Sequence, residues 1–366
     1  MHKRVKHFVG KRLQERLGSK GVYVRSVATL GEVARSAGVS VATASRVLNG
    51  GNHDVSPNLR KRVLAAAEAL HYVPNAHAQA LVRANTSSVG VIVHDVSEPY
   101  FSEICRGALK MAAARGMLAT ICNTYHEPER DLAYVRLLRS QRVQVMLLTG
   151  TGWDDRKLAQ NLATEIEAFE ATGGRAALIG RHLIPADAVM PDNVGGARAL
   201  GQAIASLGHR ALGVLAGPLS STTSQDRLAG LRSALHERQI GLSDDRVIAC
   251  DFTREGGVQG TIELLARFPD VTAVCAFSDS MAVGALAVLR DRGVRVPEDV
   301  SVTGFDDIPT LRDVQPALST VRVPMEALGM RAFELALSPR TVDLRLETLP
   351  TELVLRSSTA RLKRWL

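Results

Sequence analysis

The sequence predicts two kinds of folded unit in one chain: an all-α helix-turn-helix headpiece with a short helix after it, then an α/β domain of two parallel-sheet lobes. Three observations predict this. Residues 29–49, TLGEVARSAGVSVATASRVLN, hold two short amphipathic helices around a glycine. From residue 88 onward, short apolar runs alternate with helical stretches, the pattern of parallel sheets covered on both faces. Basic charge is confined to the first part: residues 1–83 carry 14 Lys and Arg against 4 Asp and Glu, a net +10, whereas residues 84–366 carry 31 against 33, a net −2. A module that meets phosphates needs that asymmetry.

In the headpiece, Thr29 and Glu32 have capping-box spacing, and Leu30, Val33, Ala34 and Ala37 form the apolar side of a first helix. Gly38 ends it and permits a sharp turn. Ser40 caps a second helix with Ala44, Val47 and Leu48 on its apolar side. Its other side, Val41, Ala42, Thr43, Ser45 and Arg46, is short, polar or methyl-bearing, which suits the floor of a DNA major groove. After the loop GGNHDVSP, Ser56 caps a third helix with Leu59, Val63, Leu64, Ala66, Ala67 and Leu70 as its buried side. Arg60, Lys61 and Arg62 near its start suit either a solvated face or phosphate contact. Pro74 breaks the helix. Residues 75–83 are too few for a helix stable alone in water.

Residues 1–25 are strongly basic, with 8 Lys and Arg against 1 acid. Three readings stand for them: a flexible basic arm, a short amphipathic helix, or a start assigned upstream of the true one near Val22 or Val24. Beyond residue 88, strands are expected at 89–93, 118–122, 145–148, 176–180, 212–217, 246–250, 273–277 and 300–305, with an amphipathic helix over 101–115. Two such sheets make two lobes with a cleft between them.

The 366 residues suffice for two or three compact units, and 46% apolar content with a mean hydropathy of +0.03 fits a globular protein. No segment is long and apolar enough to span a bilayer, and the basic start lacks the apolar core of a signal peptide. The expectation is a cytoplasmic protein without membrane contact. Cys105, Cys122, Cys250 and Cys275 are widely spaced in apolar surroundings and read as reduced core residues; no metal-ligand spacing is present and no cofactor is expected. Catalysis is not expected either. Asp306 and Asp307 are neighbours whose side chains diverge, Gly195, Gly196 and Gly201 form no dinucleotide fingerprint, and no phosphate-binding loop or nucleophile elbow occurs.

The order A-x2-A-G-V-S-x2-T-x-S-R-V-L-N resembles the DNA-binding headpiece of the lactose-repressor/galactose-repressor family of bacterial transcription factors. The family's usual Val is Ala44 here, and the loop after Asn49 is one residue longer. The resemblance covers residues 27–360. It implies a type I periplasmic-binding-protein-like domain of two Rossmann-like lobes, with boundaries at 1–26 (basic extension), 27–74 (headpiece), 75–87 (hinge helix and linker), 88–360 (effector-binding and dimerisation domain) and 361–366 (tail). Lobe 1 would take about 88–191 and 325–340, and lobe 2 about 192–323 and 344–360.

It also implies partners and roles. A homodimer would meet a near-palindromic stretch of double-stranded operator DNA with a central CpG step, under control of a small-molecule effector. Val41 and Ala42 are the family's specificity pair, of the galactose-repressor kind, with Arg46 beside them, and Leu30 is a further DNA-binding candidate. Thr29, Ser40, Thr43, Ser45, Asn49 and His53 would mostly contact phosphate. PNAHAQAL would fold only as two copies lying together in the minor groove, Ala78 being a DNA-binding candidate and Leu81 the wedge that kinks the duplex; an ordinary linker leucine is the alternative. For the effector, the resemblance implies Tyr100 and Phe101 at the pocket mouth, then Thr223, Arg227, Phe252, Ser278, Asp279 and Asp306, with Arg181 and Asn193 as further candidates. An Arg opposite carboxylates suits vicinal hydroxyls, so a sugar or sugar derivative is expected. Phe101 and Phe252 also suit a plain core, Asp279 a helix cap, and Asp306 a strand end. Ser221 stands where some purine-binding members carry Arg, which argues against a purine effector. The final SSTARLKRWL has no leucine heptads, so dimers are expected without a C-terminal coil.

Overall fold

The computed structural model describes residues 28–48, 55–73 and 87–362, and the chain divides into a unit within Met1–Val82 and a second unit, Arg83–Leu366.

The first unit contains α1 (Leu30–Ala37), α2 (Val41–Leu48) and α3 (Pro57–Ala69). Val33, Ala34 and Ala37 of α1, Ala44 and Val47 of α2, and Val63, Ala66 and Ala67 of α3 close on one another as a small core. Gly38 takes φ 61°, a left-handed conformation that costs other residues strain, and this turns the chain between α1 and α2. Arg62 donates to the carbonyl of Ala37 at 2.6 Å, so α3 satisfies an acceptor at the end of α1. One of the three basic residues of α3 is therefore structural. Leu64 and Leu70, expected in the core, are 50% and 37% exposed. They lie off the stripe that Val63, Ala66 and Ala67 turn to α1 and α2.

The second unit is a two-lobed α/β domain. Its first sheet joins β1 (Ser88–Val93), β2 (Leu118–Asn123), β3 (Val145–Thr149), β4 (Arg175–Ile179), β5 (Ala188–Pro191) and β11 (Leu346–Leu349) in the order β11-β5-β4-β3-β1-β2, all parallel. Its second sheet joins β6 (Leu212–Ala216), β7 (Val247–Ala249), β8 (Ala273–Ala276) and β9 (Ser301–Thr303) as β7-β6-β8-β9, also parallel. β10 (Thr320–Arg322) and β12 (Glu352–Val354) form an antiparallel pair.

Helices cover these sheets. In the first lobe they are α4 (Pro99–Ala114), α5 (Pro128–Ser140), α6 (Arg156–Ala171) and α11 (Met325–Leu337); in the second, α7 (Asn193–Ser206), α8 (Thr222–Glu237), α9 (Arg254–Arg267) and α10 (Asp279–Asp291). The central strands are buried on both faces, which is why they read as unbroken apolar runs. α4 and α11 meet through Gly107 and Gly329: a Cβ on either would strike a backbone carbonyl of the other helix, Glu326 or Ile104.

The chain passes between lobes three times, after Pro191, between Arg322 and Met325, and between Leu349 and Glu352. This corrects the expected division. β11 pairs with β5 in the first sheet, so residues 344–360 do not belong wholly to the second lobe. β2, a strand where one was expected at 118–122, lies at an edge of the sheet with Leu118 72% and Ile121 38% exposed. The four cysteines are free.

Candidate functional site

In the headpiece, the Thr29 hydroxyl accepts from the Glu32 amide at 3.3 Å, while the Glu32 carboxylate accepts from the Thr29 amide at 2.9 Å. The expected capping box is therefore present. Ser40 Oγ accepts from the Thr43 amide at 3.1 Å and lies 2.9 Å from the Thr43 hydroxyl, which starts α2. With Ala44 and Val47 buried, the helix turns Val41, Ala42 and Arg46 to solvent, Val41 at 52% exposure. Thr43 and Ser45 are half-buried, and Leu30 packs partly against the headpiece core. Asn49, His53, Ala78 and Leu81 lie outside the described residues.

The second unit has a cleft of about 540 Å³, counting its open mouth. Both walls follow from strand order. In the first sheet the order reverses between β1 and β3, and in the second between β6 and β8. Loops after those strands flank a crevice, as open parallel sheets require. His94 and Glu98 follow β1, Gly150 and Thr151 follow β3, and Tyr100, Phe101 and His126 complete that wall. Thr223 and Arg227 on α8 face them, with Phe252, Ser278, Ser280, Asp306 and Ile308.

Arg227 is 2% exposed and engaged on three sides. Its Nε donates to Asn193 Oδ1 at 2.9 Å, Nη1 to the Phe277 carbonyl and Nη2 to Asp306 Oδ1 at 3.1 Å, while the guanidinium lies 3.7 Å from the Phe305 ring centroid. Burial pushes the Asp306 carboxyl up from the ordinary range, and Arg227 pulls it back. The opposite wall is aromatic. His94 stacks on Trp153 at 5.8 Å and meets Phe101 and His126 at 5.4 and 5.0 Å. Burial holds His94 down to about 3, with His126 and His182 adding to the effect, so it is neutral. Burial also pulls His126 down, but its 2.7 Å hydrogen bond to Glu98 and the nearby acids outweigh that and raise it. Two pairs of consecutive non-glycine residues, Tyr125–His126 and Asp306–Asp307, have positive φ. Each pair brings one side chain to the cleft, and such strain collects at functional sites.

Of the expected effector residues, Tyr100, Phe101, Thr223, Arg227, Phe252, Ser278 and Asp306 line this one cleft. Three others do not. Asn193 is buried behind Arg227 and orients it. Asp279 is wholly buried, accepting from the Thr320 hydroxyl at 2.6 Å and the Ile308 amide at 2.9 Å. Arg181 reaches to Asp226 on α8 of the other lobe. Ser221 is likewise buried, capping α8. His94, Glu98, His126, Gly150, Thr151, Ser280 and Ile308 were missed. His94 follows an obvious strand directly, a signal that pointed to it; His126 required knowing that β2 lies beside β1.

Residues 29–75 match the family model described as bacterial regulatory proteins, lacI family, and residues 202–359 match a periplasmic binding protein-like domain. The HTH-type transcriptional regulator GalS of Salmonella typhimurium strain LT2 is 37% identical over 312 residues, 84% of this chain and 89% of that protein. Among solved structures, a complex of the transcriptional regulator CelR with cellobiose has a TM-score of 0.67 at 33% identity, over 90% of this chain and 99% of that one. A lac repressor dimer bound to operator and the anti-inducer ONPF has a TM-score of 0.79 at 29% identity, over 92% and 100%.

Proposed function

Because this chain belongs to the lacI family of bacterial regulatory proteins, and so is a DNA-binding transcriptional regulator and not an enzyme, we propose that it is a homodimeric repressor controlled by a sugar or sugar derivative held between its two lobes. The observation that carries the reading is the cleft, whose aromatic wall faces a buried Arg227–Asp306 pair. Flat rings suit the C–H face of a sugar, and guanidinium beside carboxylate offers donors and acceptors to adjacent hydroxyls. The cellobiose bound to CelR supports this class of effector.

On DNA, Arg46 would read guanine by paired hydrogen bonds, Val41 and Ala42 would pack on thymine methyls or leave space, and the capping residues would hold phosphate. The lac repressor dimer on its operator supports a twofold arrangement over a near-palindrome. Effector and operator communicate by population shift: the ligand favours one lobe arrangement, which sets the spacing of two hinge segments. A coupling of about 1–3 kcal/mol changes operator affinity roughly 5- to 150-fold. The protein acts where its DNA is, in the cytoplasm.

Two measurements on the purified chain test this. Selection from fragments of its own genome is expected to enrich one near-palindrome, protected in a footprint. A thermal-shift screen of sugars, sugar acids and nucleosides is expected to find a sugar that raises the melting temperature and alters operator binding. Enrichment of no palindrome overturns the DNA reading; a palindrome with no responding compound leaves a regulator without effector.

A further inference from the structure

Arg181 follows β4 in the first lobe, and Asp226 is on α8 in the second. Arg181 Nε donates to Asp226 Oδ2 at 2.9 Å, and Nη2 lies 2.8 Å from Oδ1 and donates to the Thr222 carbonyl at 3.2 Å. Thr222 returns a hydrogen bond from its hydroxyl to the Arg181 carbonyl at 2.6 Å. Backbone contacts extend the seam: the Thr222 amide donates to the Gly152 carbonyl at 2.9 Å, the Thr223 amide to the Thr151 hydroxyl at 3.1 Å, and the Asp154 amide to the Ser220 carbonyl at 2.8 Å. None of the three chain crossings passes through this seam. Its strength is protein contact alone.

We propose that Arg181 and Asp226 are positioning residues: they latch the lobes together and so hold the arrangement in which the cleft has both its walls. The inference rests on reading the cleft as the effector site. Helix geometry connects the two. Thr223 and Arg227, four residues apart, share the face of α8 that lines the cleft, while Thr222 and Asp226, also four apart, share the neighbouring face that grips the first lobe. A ligand that pulls on the first face tightens the second. The ion pair is half-exposed, with side chains 36% and 21% accessible, so it adds little to overall stability and yields when the lobes part. It is suited to setting a balance between two lobe arrangements.

Hydrogen exchange on the full-length protein without added ligand tests the latch, because the amides of Gly152, Asp154, Thr222 and Thr223 donate into the seam. Arg181→Met is expected to speed exchange in residues 150–154 and 219–226 together by about three- to tenfold, with α5 unchanged. Asp226→Asn, nearly the same shape, is expected to do the same should Arg181→Met fold poorly. The double variant R181D/D226R is expected to restore slow exchange in both segments. Unchanged exchange in both single variants, acceleration in one segment only, or failure of the charge swap to restore it overturns the proposal. None of these readouts needs an effector, so a failed ligand screen and a failed latch are separate results.

Discussion

Glu98 and His126 are held 2.7 Å apart at the wall of the cleft, one after β1 and the other after β2. This pair gives a pH signature. The His126 pKa is above its ordinary value, so the pair's stabilisation is fully present below about pH 6.5 and is lost as pH rises through the higher folded value. His94 is held low and runs the other way: its contribution falls as pH drops below 6.5. Comparison with Glu98→Gln isolates the pair. The variant is expected to lose about 1 kcal/mol at pH 6 and little at pH 8.5, measured by urea unfolding.

Arg227 cannot be removed cheaply. Arg227→Met strands the buried Asp306 carboxyl and leaves the Asn193 and Phe277 acceptors unpaired. A loss of about 3–5 kcal/mol of unfolding free energy is expected, together with the thermal shift given by any sugar found in the screen. Arg227→Lys is expected to keep more stability but still lose the response, because an ammonium has no planar fork.

The exposed side of α2 is expected to separate affinity from folding. Arg46→Ala leaves the headpiece core untouched and is expected to cost about 1–3 kcal/mol of operator binding in a gel-shift titration, with specificity relaxed at one base pair. Replacement of Val41 is expected to change the preferred base with little effect on melting temperature, since Val41 is half in solvent.

Gly107→Ala tests the α4–α11 contact. The added methyl meets the Glu326 carbonyl, a backbone atom that cannot swing aside, so the helices must separate. Denaturant unfolding is expected to show a loss of about 1–3 kcal/mol.

Much of this architecture was legible in the sequence, for identifiable reasons. α1 and α2 announce themselves because cap, glycine and apolar stripe are local signals, and the buried strands because both of their faces are covered. What failed depended on long-range partners. Residues 118–122 read as a strand, but nothing local says that β2 lies at the edge of its sheet. Leu64 and Leu70 have the right type for a core, yet the helix phase leaves them outside it. β11 lies three residues before β12 and belongs to the other sheet. Arg227 and Asp306, expected from the family resemblance, line the cleft, whereas Arg181, expected on the same ground, spends its guanidinium on Asp226. His126 escaped because its role depends on the fold of β2 against β1.

The three crossings have a consequence for synthesis on the ribosome. The four-stranded sheet of the second lobe has all its strands once Thr303 has emerged, but the first lobe still lacks α11 and its last strand, β11. The lobe begun first is thus finished last, and its partly built sheet, complete only to Pro191, must wait with α4 uncovered until Met325–Leu349 have been made. A premature stop codon even near residue 330 would therefore leave the sheet begun at Ser88 without its last strand, β11, far in sequence from where that sheet starts.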